Sequence, residues 1–262
     1  MKLAGLQKLT LLDYPGELAC TVFTLGCNLR CPFCQNADLV LPERFAGNEL
    51  LPEETFFSFL ESRKGRLGAV AVSGGEPTLH RDLPQFLKRI RGMGFRVKLD
   101  TNGTNPDMLE TVVNEGLADY VAMDVKNTPE KYLVTCGLAE TGPEAAGFLN
   151  NVQRSISFLM EGRVSCEFRT TVVTGLHTEE DIVSIAKWLQ GARAWYLQQF
   201  MPGDGVIGFG TGYHDQAGES ASKAGDTGVS SSMELRSPSA RELAQMCSAA
   251  REYVPAVRVR GV

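Results

Sequence analysis

The sequence predicts an α/β fold, a partial (β/α)6 barrel of the TIM-like kind. Two observations carry this. Short apolar runs rich in β-branched and aromatic residues alternate with longer amphipathic stretches, which is the pattern of a parallel sheet with right-handed helical crossovers. Six such units can be marked, too few for a closed eight-unit barrel, so an open one is expected with function at the C-terminal strand ends. The 262 residues suffice for one such domain and its core.

The strands are expected at Cys20–Leu25, Ala69–Ser73, Phe95–Asp100, Asp119–Val125, Val164–Val173 and Ala194–Phe200. Helices are expected between them. Pro52–Arg66 carries Phe56, Phe57, Phe59 and Leu60, and Leu83–Met93 carries Phe86, Leu87 and Ile90. Asn105–Glu115 opens with a capping Asn followed by Pro. Pro143–Glu161 is a longer helical stretch, and Thr178–Gln190 opens with the capping pattern Thr-Glu-Glu-Asp. After Phe200 the composition shifts. The barrel is therefore bounded at 1–200, and 201–232, rich in Gly and Ser, reads as a flexible insertion or lid. Residues 233–262 complete the same domain with a capped helix at Ser239–Tyr253 and a short strand at Pro255–Arg260.

Composition narrows the function. Hydrophobic residues make up 43% and charged residues 22%, which is ordinary for a soluble globular chain. The net charge of −5 argues against nucleic acid as the main partner, because phosphate binding needs clustered Lys and Arg. No apolar run reaches the ~18 residues of a membrane span. The N-terminal stretch lacks the continuous apolar core of a signal peptide, so a cytoplasmic location is expected. His177 and His214 fall in loops with no nucleophile beside them, and there is no phosphate-binding P-loop.

Seven cysteines are present, and three crowd into one loop as Cys27-x3-Cys31-x2-Cys34. In a cytoplasmic chain such a crowd points to metal rather than to disulfides. Thiolates are soft ligands for iron–sulfur clusters, zinc or copper(I). A closed structural zinc site wants four ligands, and no fourth Cys or His lies nearby. Three ligands on a four-iron cluster leave one iron open. Zinc with a distant fourth ligand, Cys136 or Cys166, is the competing reading.

The loop resembles the C-x3-C-x-aromatic-C signature of the radical S-adenosylmethionine (SAM) superfamily, with Phe33 in the aromatic position. Further segments match: Ser73-Gly74-Gly75-Glu76-Pro77 after the second strand, Asp100-Thr101-Asn102-Gly103 after the third, and Met123-Asp124-Val125-Lys126 after the fourth. Leu11-Leu12-Asp13-Tyr14-Pro15-Gly16 and Leu197-Gln198-Gln199-Phe200 look like the activating proteins of anaerobic ribonucleoside-triphosphate reductase, relatives of the pyruvate formate-lyase activating enzymes. Gln35 stands where these families often carry His.

The resemblance implies a 4Fe-4S cluster on Cys27, Cys31 and Cys34 that reductively cleaves SAM to a 5′-deoxyadenosyl radical. That cofactor would supply the hard chemistry while the protein orients it. It implies SAM contacts from Phe33, Gln35, Gly74, Gly75, Glu76, Asp100, Asn102, Asp124, Lys126, Arg169 and Phe200. Gly74 and Gly75 would let backbone approach the ligand. Glu76 would order its loop or meet SAM's ammonium. Asp100 and Asp124, as crowded like charges, would need a compensating cation. A monovalent cation held with Thr101 is the expectation, and helix capping by both carboxylates is the alternative. Lys126 reads equally as a surface lysine, and Phe200 as a stacking face for adenine or as plain core.

The implied function is to generate a glycyl radical on a partner enzyme, anaerobic ribonucleotide reductase first, with flavodoxin or ferredoxin as electron donor. The alternatives are another glycyl radical enzyme such as pyruvate formate-lyase, a small-molecule or peptide substrate, or a zinc-stabilised interaction module.

Overall fold

A computed structural model describes residues 1–139, 143–203, 205–207 and 235–261. Its centre is one eight-stranded sheet whose spatial order equals its chain order. The strands are β1 (Leu3–Thr10), β2 (Ala19–Thr24), β3 (Ala69–Gly74), β4 (Arg96–Thr101), β5 (Tyr120–Asp124), β6 (Ser165–Val172), β7 (Trp195–Gln199) and β8 (Val257–Arg260). β1 runs antiparallel to β2, and every later pairing is parallel. β1 and β8 are the two edges, so the barrel is open between them.

Strands β2 to β8 fall where the sequence places them, within two residues at either end. β1 is the addition. Its Leu-Ala-Gly-Leu-Gln-Lys-Leu-Thr sequence has no clean alternation and only one β-branched residue, so local preference does not mark it. Pairing with β2 makes it a strand.

The longer helices cross between strands, and their starts are set by caps. Asn105 accepts from the Met108 N–H at the head of Pro106–Asn114. Thr178 with Asp181, and Ser239 with Glu242, form capping boxes at the heads of Glu179–Trp188 and Ala240–Ala250. Each such cap contributes about 1 kcal/mol.

Alternation along the strands sorts the side chains. Val70, Val72, Val97, Leu99, Val121, Met123, Phe168 and Val172 join the buried apolar layer. Burying each contributes about 1.5–3 kcal/mol. The intervening residues Lys98, Asp100, Asp124, Glu167 and Arg169 face the barrel interior, where they pair with one another and with β8. Arg260 on β8 grips Glu167 through two bonds of 3.0 Å, and the Tyr120 hydroxyl donates to the same carboxylate at 3.1 Å.

The predicted insertion at 201–232 lies mostly outside the described residues. Its described part includes a docked segment. The Ile207 N–H donates to the Cys34 carbonyl at 3.1 Å, and Ile207 is buried against Ala37 and Val40. Residues 205–207 therefore pack on the cysteine loop.

Candidate functional site

The site sits at the C-terminal ends of the parallel strands. β2 ends at Thr24, and the chain turns into the cysteine loop. Gly75 N–H donates to the Thr24 carbonyl at 2.9 Å, and Glu76 N–H donates to the Gly26 carbonyl at 2.8 Å. A Cβ on Gly75 would stand 2.0 Å from the Gly26 oxygen, and one on Gly74 would stand 2.3 Å from the Thr24 nitrogen. The two glycines are thus required by backbone-on-backbone packing that clamps the cysteine loop to β3, a different reason from the ligand approach expected above.

A cavity of about 350 Å³ opens here. Cys27, Cys31 and Cys34 line it together with Phe33, Gln35, Gly74, Gly75, Glu76, Asp100, Thr101, Asn102, Asp124, Lys126 and Arg169. Every residue singled out from sequence is therefore on one surface, with one exception. Phe200 is fully buried in the apolar core and does not line the cavity, so its role is packing. β7 instead presents Gln198.

Asp100 and Asp124 converge as expected, and the chain's own basic groups compensate them. Arg169 bridges the pair, with Nε 2.8 Å from Asp124 and Nη1 3.4 Å from Asp100. Lys126 adds 2.8 Å to Asp124, and Lys98 pairs with Asp100. Burial pushes both carboxyls up, but Arg169 with Lys98 or Lys126 outweighs it and holds them below the usual carboxylate range. Neither carboxylate caps a helix; Asn105 performs that task after β4. Lys126 is not a surface lysine: its ammonium lies 5.9 Å from the Phe33 ring centroid, on the cavity.

Glu76 is 1% exposed and accepts four hydrogen bonds, from the Thr78 N–H and hydroxyl, the Thr101 hydroxyl and the Asn102 N–H. Burial pushes its carboxyl up against those bonds. Its oxygens are occupied in tying the loop after β3 to the loop after β4, which is the ordering role. Thr101 is committed to the same carboxylate. Asn102 points its amide at Asn28 Oδ1 (3.0 Å) and at Cys27 Sγ (3.8 Å). Gln35 reaches the Met201 carbonyl at 3.0 Å.

Burial pushes the Cys27 thiol up to about 12 and raises that of Cys34. Cys31 moves the other way, first because Cys136 hydrogen-bonds to it. The three thiols share one cavity. Three cysteine donors on one cavity are a ligand set that fits an iron–sulfur cluster. Metal coordination would deprotonate them.

Sequence reasoning did not assign Asp13, Asn36, Ser73 or Thr171, which also line the cavity. Thr171 was reachable by alternation, two positions after Arg169 on β6. Asp13 was not. It accepts from the Thr21 hydroxyl, a contact created by the β1–β2 turn.

A family model described as the radical SAM superfamily matches residues 21–189. The chain belongs to the radical SAM superfamily. A Methanocaldococcus jannaschii protein described as a glycyl-radical enzyme activating enzyme is 35% identical over 206 residues, covering 77% of this chain and 80% of that one. The fold resembles a domain of pyruvate-formate lyase-activating enzyme from Bacteroides vulgatus, with TM-score 0.51 and 17% identity over 74% of this chain and 99% of that domain. It also resembles Streptococcus suis SuiB bound to SAM, with TM-score 0.52 and 13% identity over 75% of this chain and 45% of that one. Membership in this superfamily implies an enzyme with a 4Fe-4S cluster and SAM. Among the described residues, no helix is long and apolar enough to cross a membrane.

Proposed function

We propose that this radical SAM enzyme activates a glycyl radical enzyme, with anaerobic ribonucleoside-triphosphate reductase as the partner and a flavodoxin or ferredoxin as electron donor. The observation that carries the SAM chemistry is the convergence of three thiols with Arg169, Lys126, Asp100 and Asp124 on one cavity. The M. jannaschii relative supports the class of substrate, and the segments Leu11–Gly16 and Leu197–Phe200 support the reductase.

Cys27, Cys31 and Cys34 would hold the cluster, which supplies the electron that breaks SAM's C–S bond. The chain's own residues bind and orient. Arg169 and Lys126 offer cationic groups to SAM's carboxylate, and Asp100 and Asp124 offer anionic ones to its ammonium. Asn102 steadies Cys27, and Glu76 holds the two loops in register. Lys98, Lys126 and Arg169 would balance the two carboxylates in place of a monovalent cation, and Thr101 donates to Glu76.

Anaerobic reconstitution tests the reading. The protein should turn brown, bind about four irons and cleave SAM under reduction. With the reductase present, a glycyl radical signal should appear by electron paramagnetic resonance. Cleavage without that signal on any glycyl radical partner sinks the activation reading, and a colourless zinc protein sinks the cluster itself. Cys31→Ala should lose SAM cleavage while far-UV circular dichroism keeps its barrel signature.

A further inference from the structure

His177 is a buried imidazole that the chemistry above leaves unused. It lies in the loop after β6, just before the Thr178 cap, and does not line the cavity. Its ring is bonded on both sides. Nδ1 lies 3.1 Å from the Val173 nitrogen, and Nε2 lies 2.8 Å from the Lys126 carbonyl oxygen. A backbone N–H can only donate and a carbonyl can only accept. Nδ1 is therefore the acceptor and Nε2 carries the proton, so one neutral tautomer satisfies both partners.

The place of Lys126 gives this bond a purpose. β5 ends at Asp124, opposite Arg169, and the residues that follow lie past the end of the strand pairing. β6 and its loop hold them one by one. The Val125 N–H donates to the Arg169 carbonyl at 2.8 Å, and the Thr170 hydroxyl donates to the Val125 carbonyl at 2.8 Å. The Asn127 amide donates to the Leu176 carbonyl at 3.2 Å. The Thr170 bond fixes the peptide plane before Lys126, and the His177 bond fixes the plane after it. The Lys126 side chain thus starts from a held point and runs to Asp124, at 2.8 Å, and to the Phe33 side of the cavity. A lysine stem is long and flexible, so looseness at its root would spread the position of its ammonium.

We propose that His177, as the Nε2–H tautomer, is a positioning residue for SAM binding: it holds the Lys126 backbone so that the ammonium meets SAM's carboxylate. The inference rests on Lys126 contacting SAM, as the proposed function has it.

Two measurements test it, and the first needs no cluster. Ring-nitrogen NMR of the full chain at neutral pH should show His177, identified by the signal lost in His177→Gln, as the neutral Nε2–H tautomer. An Nδ1–H ring or a charged ring overturns the proposal. The second is steady-state SAM cleavage by reconstituted protein. His177→Leu fills the space without either bond, and should raise the KM for SAM about tenfold while kcat stays within about twofold. His177→Gln keeps an amide donor for the Lys126 carbonyl, and its KM should stay within about threefold of wild type. A leucine variant at the wild-type KM overturns the proposal, whatever its melting temperature. So does a glutamine variant as impaired as the leucine one, because the bond would then not be what matters. If the leucine variant does not fold, the glutamine variant decides: a KM near wild type supports the proposal and a tenfold rise overturns it. Lys126→Met at the wild-type KM would instead sink the SAM contact beneath the proposal, and that outcome is visible before His177 is changed.

Discussion

Two clusters of buried charge lie two residues apart on the inner face of β6. Arg169 joins Asp100 and Asp124, and that cluster forms part of the cavity wall beside the cysteines. Glu167 joins Arg260 and the Tyr120 hydroxyl, and neither Glu167 nor Arg260 lines that cavity. Both clusters use the same carboxylate–guanidinium chemistry. The Arg169 cluster leaves charged surface where a ligand can meet it. The Glu167 cluster is spent on fastening the last strand, with Arg260 also lying 3.7 Å from the Tyr196 ring centroid. Charge inside a barrel therefore marks a site only where it meets open volume.

Breaking the Arg169 cluster should have the largest effect. Arg169→Met leaves two carboxylates crowded in a buried place, a loss of about 3–5 kcal/mol. SAM cleavage by reconstituted protein should fall about 100-fold as binding geometry is lost. A variant with wild-type cleavage would remove Arg169 from the site. The Glu167 cluster should behave differently. Glu167→Gln should cost about 1–3 kcal/mol in denaturant melts while cleavage stays within about twofold, since Arg260 keeps a route to water. Adding Arg260→Met should recover part of that loss, as removal of both partners usually does.

The pH dependence sharpens the contrast. Asp100 and Asp124 have folded-state pKa values below the ordinary range, so their contribution is present above about pH 4 and is lost as pH falls through the folded values. Asp124→Asn should flatten the acid limb of the stability curve; an unchanged limb would mean the pairing contributes nothing. The smallest effect concerns Phe200. Phe200→Leu should cost about 1–1.5 kcal/mol of stability and leave the KM for SAM unchanged, whereas a raised KM would restore the stacking role.

The sequence made the cysteine loop and most cavity residues legible because they are local: motif spacing, or the last residue of a strand whose period-2 pattern is strong. What it hid depends on pairing across the sheet. β1 has no pattern of its own. The alternation that brings Arg169 and Gln198 inward says nothing of where β7 stops, and the strand ends at Gln199, so Phe200 enters the core. The charges of Asp100 and Asp124 were read correctly as crowded. Their partners were not, because Lys98 lies two residues before Asp100 in what reads as an ordinary strand. Gly74 and Gly75 carry a further constraint, the neighbouring loop's backbone, which only the folded chain shows.

The sheet's strictly sequential order bears on how the enzyme is made. Each strand pairs with the one synthesised just before it, so a growing chain can lay down the barrel from β1 onward. The metal-binding loop follows β2 and leaves the ribosome early. The segments that pack on it come late: Cys136, whose carbonyl accepts from the Arg30 N–H, after β5, and Ile207 after β7. During synthesis the three thiols leave the ribosome before the segments that pack on their loop, so they are open to oxidation until the chain has passed Ile207.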